Sequence, residues 1–215
     1  MKLAKFSYIV LFVFYSMSSF AEKSFFKDIS NLLPDQKPRL SYGVAVTDFD
    51  NDGADEFIVT GFGYENLALG YDGNSLQNKI KENIFSDFNR STIGVAACDI
   101  DKDGQEEIYF LNTDTYSGQK MYSDRLLKLV DKNIEDLFEK DINQDELNLT
   151  AGRSVVCVDR EGKGNYGIYV ANYGGPTRFY EYIDNRVVDL AESLKLDEIT
   201  GGSCLLYTSP SPRDG

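Results

Sequence analysis

The side chains with the clearest chemistry in this 215-residue chain lie in two short acidic loops. DFDNDGADE begins at Asp48 and DIDKDGQEE begins at Asp99. Both loops place carboxylates at positions 1, 3, 5 and 9 and glycine at position 6, where glycine permits the chain to turn sharply. Oxygen ligands in this spacing suit a hard cation, and Ca²⁺ fits better than Mg²⁺, which keeps several waters and strict octahedral geometry. We therefore predict Ca²⁺ as the cofactor, bound at two sites.

The predicted ligands are the carboxylates at positions 1, 3, 5 and 9 and the backbone carbonyl at position 7. They are Asp48, Asp50, Asp52, Ala54 and Glu56 in the first loop and Asp99, Asp101, Asp103, Gln105 and Glu107 in the second. An EF-hand begins with the same spacing, but it needs a glutamate at position 12 and helices on both sides. Position 12 is Val59 in the first loop and Phe110 in the second, and both lie in strand-like runs. The spacing therefore excludes an EF-hand.

A third acidic loop, DREGKGNYG from Asp159, departs from the pattern. Asp159 and Glu161 keep the acids at positions 1 and 3, but Lys163 stands at position 5 and Gly167 at position 9. We predict that this loop binds no calcium and that the Lys163 ammonium bridges Asp159 and Glu161 in the metal's place. The alternative is a solvent-exposed loop that needs no central cation.

The segments around the loops repeat as well. Small, β-branched and aromatic residues precede the loops at residues 42–47, 93–98 and 153–158, and similar runs follow them, which is typical of strands. Each unit then ends in a hairpin-like segment with Asp, Asn or Gly at its turn. Four strands per unit of roughly 40–60 residues are typical of propeller blades. The predicted fold class is all-β, a β-propeller fragment of about three four-stranded blades.

The repeat pattern also sets the predicted boundaries. They are 22–41 for the outer strand of an incomplete blade and its lead-in, 42–92 for blade 1, 93–152 for blade 2, 153–199 for blade 3 and 200–202 for the start of a truncated blade. The extra length of the second unit is assigned to surface loops such as residues 139–150. Residues 203–215 break the pattern abruptly, and we predict that this tail is foreign or artefactual in origin.

Residues 1–21 are predicted to be a secretory signal peptide. Lys2 and Lys5 precede a short apolar run at residues 6–15, and Ala21 ends a small-x-small cleavage pattern. A membrane anchor is the alternative, but the run is shorter than the ~20 apolar residues of a membrane span. We therefore expect a secreted, extracellular protein with no membrane span in this segment. Extracellular modules bind calcium with dissociation constants of about 10⁻⁴–10⁻³ M.

Composition excludes several kinds of chemistry. The chain contains no histidine, which excludes Ser-His-Asp and Cys-His catalysis and imidazole metal sites. Its three cysteines form no CxxC pair, so zinc and thioredoxin-like sites are excluded too. With a formal net charge of −13, the chain lacks the positive surface that nucleic acid requires. We predict no enzymatic activity and no nucleic-acid partner.

Two further pairs of residues are candidates for covalent chemistry. Cys98 and Cys157 stand just before the second and third loops, and in a secreted chain they could form a disulfide between blades. The one-residue offset between their positions could instead point them to opposite faces and leave two buried thiols. Asn89 and Asn148 begin Asn-x-Ser/Thr sequons in predicted loops and are candidate N-glycosylation sites.

Four segments carry a resemblance to a known family. YGVAVTDFDNDG, IGVAACDIDKDGQEEIYFLNT, AGRSVVCVDREG and GIYVANY resemble FG-GAP, or integrin-α-type, β-propeller repeats, over about residues 41–202. The resemblance implies a seven-bladed, calcium-binding propeller in a secreted, matrix-associated protein without catalysis, with extracellular protein or glycan partners. It also implies that the metal ligands are the loop carboxylates named above. The ectodomain of an integrin-like adhesion receptor and a secreted propeller enzyme are the alternatives.

Overall fold

The computed structural model describes residues 27–33, 38–199 and 201. Its strands form three four-stranded antiparallel sheets, and in each sheet the strands pair in chain order. We call these sheets blades 1, 2 and 3. The all-β fold class and its blade-like units are confirmed, although three blades alone do not amount to a closed propeller. The predicted signal peptide at 1–21 and the predicted tail at 203–215 lie outside the described residues.

Each blade contains four strands joined by short connections. Blade 1 comprises β1 (Val44–Thr47), β2 (Glu56–Val59), β3 (Leu67–Tyr71) and β4 (Leu76–Asn78). Blade 2 comprises β5 (Thr92–Cys98), β6 (Glu107–Asn112), β7 (Arg125–Val130) and β8 (Asn133–Asp136). Blade 3 comprises β9 (Gly152–Asp159), β10 (Tyr166–Asn172), β11 (Arg178–Ile183) and β12 (Arg186–Asp189). Short helical turns occupy Asn83–Ser86, Phe88–Arg90, Leu137–Glu139, Asp141–Glu146 and Ala191–Leu194. In the part of the chain that the structure describes, no helix has the length and apolar character of a membrane span.

The stretch predicted to hold an outer strand, 22–41, contains no strand among its described residues. Most of these residues have no regular structure, and Ser30–Leu32 forms a 3-10 turn in which the Ser30 N–H donates to the Asp28 carboxylate at 2.8 Å. A strand needs a partner for its backbone N–H and C=O groups, and none of the described strands pairs with this stretch. The partner strands of this outer strand are expected elsewhere in a longer protein, so the outer strand stays a prediction.

The core lies between neighbouring blades, and β6 of the middle blade shows how the sequence builds it. Side chains alternate along a strand, so consecutive residues of β6 face opposite sides. Ile108 and Phe110 belong to the hydrophobic cluster shared with blade 1, whereas Tyr109 and Leu111 belong to the cluster shared with blade 3. All four are fully buried. Burial on both faces explains why this strand is a continuous apolar run and not an alternating one.

The same alternation explains how Cys98 and Cys157 meet. Cys98 ends β5 inside the cluster between blades 2 and 3, and Cys157 of β9 packs against that cluster. The structure joins their sulfurs in a disulfide, with the Cα atoms 6.3 Å apart. Residues that face each other from adjacent blades lie on opposite faces of their own sheets. The one-residue offset therefore brings the two side chains together.

The segment 139–150, predicted as a surface loop, is mostly exposed, but two of its side chains, Asn143 and Asn148, are buried. It contains the turn Asp141–Glu146, in which Asn143 is only 1% exposed. The Asn143 side chain donates to the backbone oxygen of Leu137 at 2.6 Å and accepts the N–H of Val187 in β12 at 3.0 Å. Buried backbone groups need such partners. The segment therefore lies at the surface and is anchored to blade 3 by the buried Asn143 side chain.

Burial also removes Asn148 as a glycosylation site. Its side chain is 0% exposed, and its amide nitrogen donates to Asp124 at 2.6 Å and to Asn172 at 3.0 Å. A glycan would replace one hydrogen of that nitrogen and would need solvent around it, so the folded protein has no room for one. Asn89 is exposed, and glycosylation there stays a prediction.

We expect the secreted full chain to carry a glycan at Asn89 alone. Enzymatic removal of N-glycans will shift the electrophoretic mobility of the wild type, and Asn89→Gln will abolish the shift. Thr150→Ala destroys the other sequon but keeps the buried Asn148 amide, so it will leave the shift unchanged. A shift that persists in Asn89→Gln and disappears when Thr150→Ala is added would show that Asn148 is modified after all.

Candidate metal centre

The first acidic loop, residues 48–55, joins β1 to β2 in blade 1. One carboxylate oxygen from each of Asp48, Asp50 and Glu56 lies within 4.8 Å of the other two. Glu56 is the first residue of β2 and is 1% exposed, so the sheet fixes the position of its side chain. Phe49 donates its N–H to the Glu56 carboxylate at 3.2 Å. Positions 1, 3 and 9 of the predicted site therefore converge.

Backbone hydrogen bonds to Asp48 wrap the first loop into its turn. The two carboxylate oxygens accept the N–H groups of Asp52 and Gly53, each at 3.0 Å. Gly53 has a φ of +89°, and its counterpart Gly104 in the second loop has the same value. This left-handed region is open to glycine and strained for most other residues, which is the physical reason for glycine at position 6.

The second loop, residues 99–106 between β5 and β6, repeats the arrangement in blade 2. Asp99, Asp101 and Glu107 bring one carboxylate oxygen each within 4.8 Å of one another. Asp99 accepts the N–H of Gly104 at 2.9 Å, and Glu107 is 1% exposed at the start of β6. The geometry repeats because position 9 begins the second strand of the blade in both copies.

The ligands predicted at positions 5 and 7 are not among the converging carboxylates. Asp52 and Asp103 lie outside the two converging groups, and each accepts the backbone N–H two positions further on, at 2.9 Å. The backbone carbonyls of Ala54 and Gln105 stay predicted ligands. The Gln105 side chain also donates to the backbone oxygen of Phe49 at 3.0 Å, which links the second loop to the first.

Electrostatics at both loops favours a bound cation. Burial, followed by the charge of Asp50, raises the pKa of Glu56 to about 7. Burial also raises the pKa of Glu107 to about 7, against a hydrogen bond from Lys128 that lowers it. Burial and the charge of Asp52 raise the pKa of Asp50. The carboxylates are thus short of solvent and repel one another, and a divalent cation would relieve both costs.

Sequence analysis missed one residue of the second site, Lys128 in β7. Its ammonium lies 2.5 Å from Asp101, 2.6 Å from Asp103 and 2.8 Å from Glu107. Nothing within the loop indicates this lysine, because it follows Glu107 by 21 residues. An alignment of the third strands of the blades could have found it, since Lys128 stands beside Glu107 across the β6–β7 pair.

The third loop, residues 160–165, is built differently. Within the described residues, only the first two loops bring three or more potential metal ligands together. The Lys163 ammonium pairs with Glu161 at 2.8 Å on an exposed side chain. Asp159 instead accepts the backbone N–H groups of Lys163 and Gly164 at 3.1 and 2.7 Å. The predicted bridge from Lys163 to both acids is therefore wrong, because the ammonium pairs with Glu161 alone. The backbone donors to Asp159 come from the same loop positions as those to Asp48 and Asp99, so they do not explain the difference. The absence of calcium from this loop stays a prediction.

Comparison with known proteins finds similarity along most of the chain. A family model for the FG-GAP-like repeat matches residues 48–110, which include both acidic loops. Cartilage acidic protein 1 of Mus musculus is 43% identical over an alignment of 196 residues, with 81% of this chain and 30% of that relative covered. The proteins of the same name from Homo sapiens (42% over 196 residues, 81% and 29%) and Xenopus tropicalis (40% over 188 residues, 76% and 29%) are similar too. The chain thus spans about 30% of the length of these curated relatives.

Proposed function

Because the chain carries FG-GAP-like repeats and is similar to cartilage acidic protein 1 over most of its own length, we propose that it is a secreted, calcium-binding β-propeller scaffold. Its role would be to mediate interactions at the extracellular matrix or the cell surface. The observation that carries the proposal is the convergence of three carboxylates in each of two loops. We propose a binding role and no enzymatic activity.

The donor set of the two loops fits calcium in particular. Every side chain in the two converging groups is a carboxylate, and Ca²⁺ takes about six to eight oxygen ligands. Backbone carbonyls and waters complete such a set, so three side chains with the predicted oxygen at position 7 form a sufficient core. Zinc and copper favour nitrogen and sulfur donors, which these groups lack.

Calcium would act on the structure through the strands that flank each loop. The loops join the first two strands of blades 1 and 2, and the hydrogen bond from Gln105 to Phe49 connects one loop to the other. A ligand that binds only the folded state stabilises it by about 2.7 kcal/mol when the free ligand is 100-fold above Kd. We infer that calcium rigidifies this edge of the propeller for the recruitment of partners.

Two features support a secreted chain in which further blades cover blade 1. A disulfide such as that between Cys98 and Cys157 persists in oxidising compartments and is rare in the cytosol. On one face of blade 1, Val44, Val46 and Phe57 are 62%, 52% and 44% exposed. Contiguous apolar surface of this kind is normally covered, and a neighbouring blade would cover it. We therefore propose that the three blades belong to the seven-bladed propeller that the family resemblance implies.

The partners we propose are extracellular proteins or glycans. The relatives are named for cartilage and for acidity, and this chain shares the second property with a formal net charge of −13. The ectodomain of an integrin-like adhesion receptor is the second candidate, and a membrane-spanning segment in the full-length protein would favour it. A secreted enzyme would need a catalytic group, and the two carboxylate groups are better explained as metal ligands.

Calcium titration of the metal-free full chain by isothermal calorimetry tests the proposed function. We expect heat of binding and a rise in Tm, because the cation offsets carboxylate repulsion that exists only in the folded state. Asp50→Asn removes a charged ligand from the first loop and will weaken that site by roughly tenfold or more. Asp55→Asn removes the same charge from the same loop outside the converging group, so it is a matched control and will change the affinity little.

Two outcomes would contradict the calcium role. A chain that is folded, yet gives neither calcium-dependent heat nor a change in Tm, would rule it out. Equal weakening by Asp50→Asn and Asp55→Asn would show that calcium senses the general charge of the loop and is not coordinated by the converging group.

A further inference from the structure

The ion pairs of Lys128 distinguish the second acidic loop from the first. We propose that Lys128 is a tethered counter-cation that competes with calcium for the second loop, so that the first loop fills with calcium before the second. This inference rests on the proposed calcium binding and deepens it, because it assigns different affinities to the two sites.

The Lys128 ammonium lies where a bound cation would lie. It contacts Asp101 at 2.5 Å, Asp103 at 2.6 Å and Glu107 at 2.8 Å. Asp101 and Glu107 both belong to the converging group of this loop. Calcium binds carboxylate oxygens at about 2.3–2.6 Å, so calcium and the ammonium would use the same oxygens at nearly the same distance. Both cations cannot occupy the centre together, because like charges this close repel strongly.

One position in the third strand of each blade creates the difference between the loops. Extending the register of each sheet by one pair places Gly70 beside Glu56 in blade 1 and Lys128 beside Glu107 in blade 2. Glycine has no side chain, so blade 1 offers no cation from this position. The two loops therefore have the same three converging carboxylates but different neighbours.

Blade 3 shows that this position varies with the charge of the adjacent loop. There the ninth loop residue is Gly167, and the register places Glu181 beside it. The Glu181 carboxylate pairs with Arg160 at 2.9 Å. The charges at this place thus differ among the blades. Blade 1 has an acid with no side chain beside it, and blade 2 has an acid beside a lysine. Blade 3 has an acid from its third strand paired with an arginine.

The nearest lysine of blade 1 does not substitute for Lys128. Lys79 follows β4, and its aliphatic side chain lies against the backbone of Gly70. A Cβ atom built on Gly70 would lie 2.7 Å from Cε of Lys79. The lysines that form ion pairs in the described part of the chain are Lys120, Lys128, Lys140 and Lys163. Lys79 is not one of them. Its charge is close enough to oppose the rise in the pKa of Asp50 that burial causes, but its ammonium forms no ion pair with the converging carboxylates, as Lys128 does.

The ammonium satisfies the second loop only in part. Lysine has three N–H donors, and Lys128 uses one on each of its three acidic partners. The buried Oδ1 atom of Asp101 still has no hydrogen-bond partner among the described residues. Calcium, with about six to eight ligands, could use that oxygen, and the flexible lysine stem could swing out toward solvent. Competition therefore gives a weaker site and not an absent one.

Calorimetric titration of the full chain with calcium separates the two sites. In the wild type we expect two affinities that differ roughly tenfold or more, and Asp50→Asn will weaken the tighter one by roughly tenfold or more. Lys128→Met keeps an unbranched stem without the charge and will strengthen the weaker site by roughly tenfold. Lys102→Met removes the same charge from an exposed position of the same loop, so it is the matched control and will have a much smaller effect.

The reciprocal variant, Gly70→Lys, brings an ammonium to the first loop. Its Cβ would lie 2.7 Å from Cε and 2.8 Å from Cγ of Lys79 and 3.1 Å from Oε1 of Glu56, so Gly70→Ala, which makes the same contacts without the charge, is the matched control. Relative to Gly70→Ala, Gly70→Lys will weaken the tighter site by roughly tenfold. This variant tests the inference independently if Lys128→Met folds poorly. Circular dichroism of each variant in chelator will distinguish a loss of folding from a loss of binding.

Equal affinities at the two sites of the wild type would overturn the inference and leave calcium binding itself intact. The same conclusion would follow if Lys128→Met behaved like Lys102→Met, or if Gly70→Lys left the tighter site unchanged. If neither the wild type nor any variant binds calcium, the proposed function and this inference both fall.

Discussion

Asp124→Asn is expected to lower the free energy of unfolding by about 3–5 kcal/mol, because it leaves the Lys120 ammonium buried without its counter-ion. The two side chains form an ion pair in which both are 0% exposed. Burial lowers the pKa of Lys120, and the Asp124 charge opposes that shift. Without Asp124 the lysine must either lose its proton or stay charged and unpaired, and both states cost free energy.

Asp124 also links several parts of the molecule through hydrogen bonds. Its carboxylate accepts the Tyr109 hydroxyl at 2.7 Å, the backbone N–H of Asn112 at 2.7 Å and the Asn148 amide at 2.6 Å. Asn148 in turn exchanges hydrogen bonds with Asn172 of blade 3. Loss of the charge therefore weakens the contact between blades 2 and 3 as well as the ion pair.

Urea denaturation of the full chain measures the effect of Asp124→Asn. Asp145→Asn is the control, since it removes an exposed carboxylate and should change stability by less than about 0.5 kcal/mol. Adding Lys120→Met to Asp124→Asn should recover part of the loss, because the double variant buries no unpaired charge. A single variant as stable as the control, or a double variant with simply additive losses, would contradict this account.

Removal of the disulfide by Cys98→Ala with Cys157→Ala is expected to cost about 4 kcal/mol. The estimate follows from the chain entropy that a cross-link removes from the unfolded state for a sequence separation of 59 residues. Alanine is preferred to serine because Cys98 is buried in an apolar cluster, where an unpaired hydroxyl would add its own cost.

Denaturant midpoints of the wild type, with and without a reducing agent, check the same prediction. Reduction should lower the stability of the wild type by a similar amount and should leave the double alanine variant unchanged. Thiol titration of the unfolded, non-reduced wild type should find one reactive cysteine, Cys204, of the three in the chain. Three reactive thiols would show that the disulfide does not form.

Local spacing is what made the acidic loops and the blades predictable. The converging carboxylates of Asp48, Asp50 and Glu56 lie within one short segment, and the N–H groups that hold the turn come from the same segment. Recurrence of the segment in front of β-rich runs was then enough to indicate strands and to infer blades. The same spacing of carboxylates and glycine gave the same convergence at Asp99 and Glu107.

The features that sequence analysis missed depend on contacts between remote residues or on the direction of a flexible side chain. Lys128 reaches Glu107 across a pair of strands, so no spacing within the loop indicates it. Lys163 is close to both Asp159 and Glu161 in sequence, but its exposed ammonium pairs with Glu161 alone, and spacing does not fix where a flexible lysine stem points. Strand alternation within one sheet indicates that Cys98 and Cys157 point to opposite faces. The disulfide forms because opposite faces of two adjacent blades face each other.

Because the chain is synthesised from its N-terminus, the two faces of the middle blade are covered at different times. Phe110 packs edge-on against Phe85, which leaves the ribosome earlier, whereas its neighbour Tyr109 stacks on Tyr180, which emerges 71 residues (180 − 109) after it. One face of β6 can therefore pack against blade 1 at once, whereas its other face stays uncovered until blade 3 has been synthesised. During translation the newest blade always presents a bare apolar face, and until the next blade covers it this face is open to aggregation or to a chaperone.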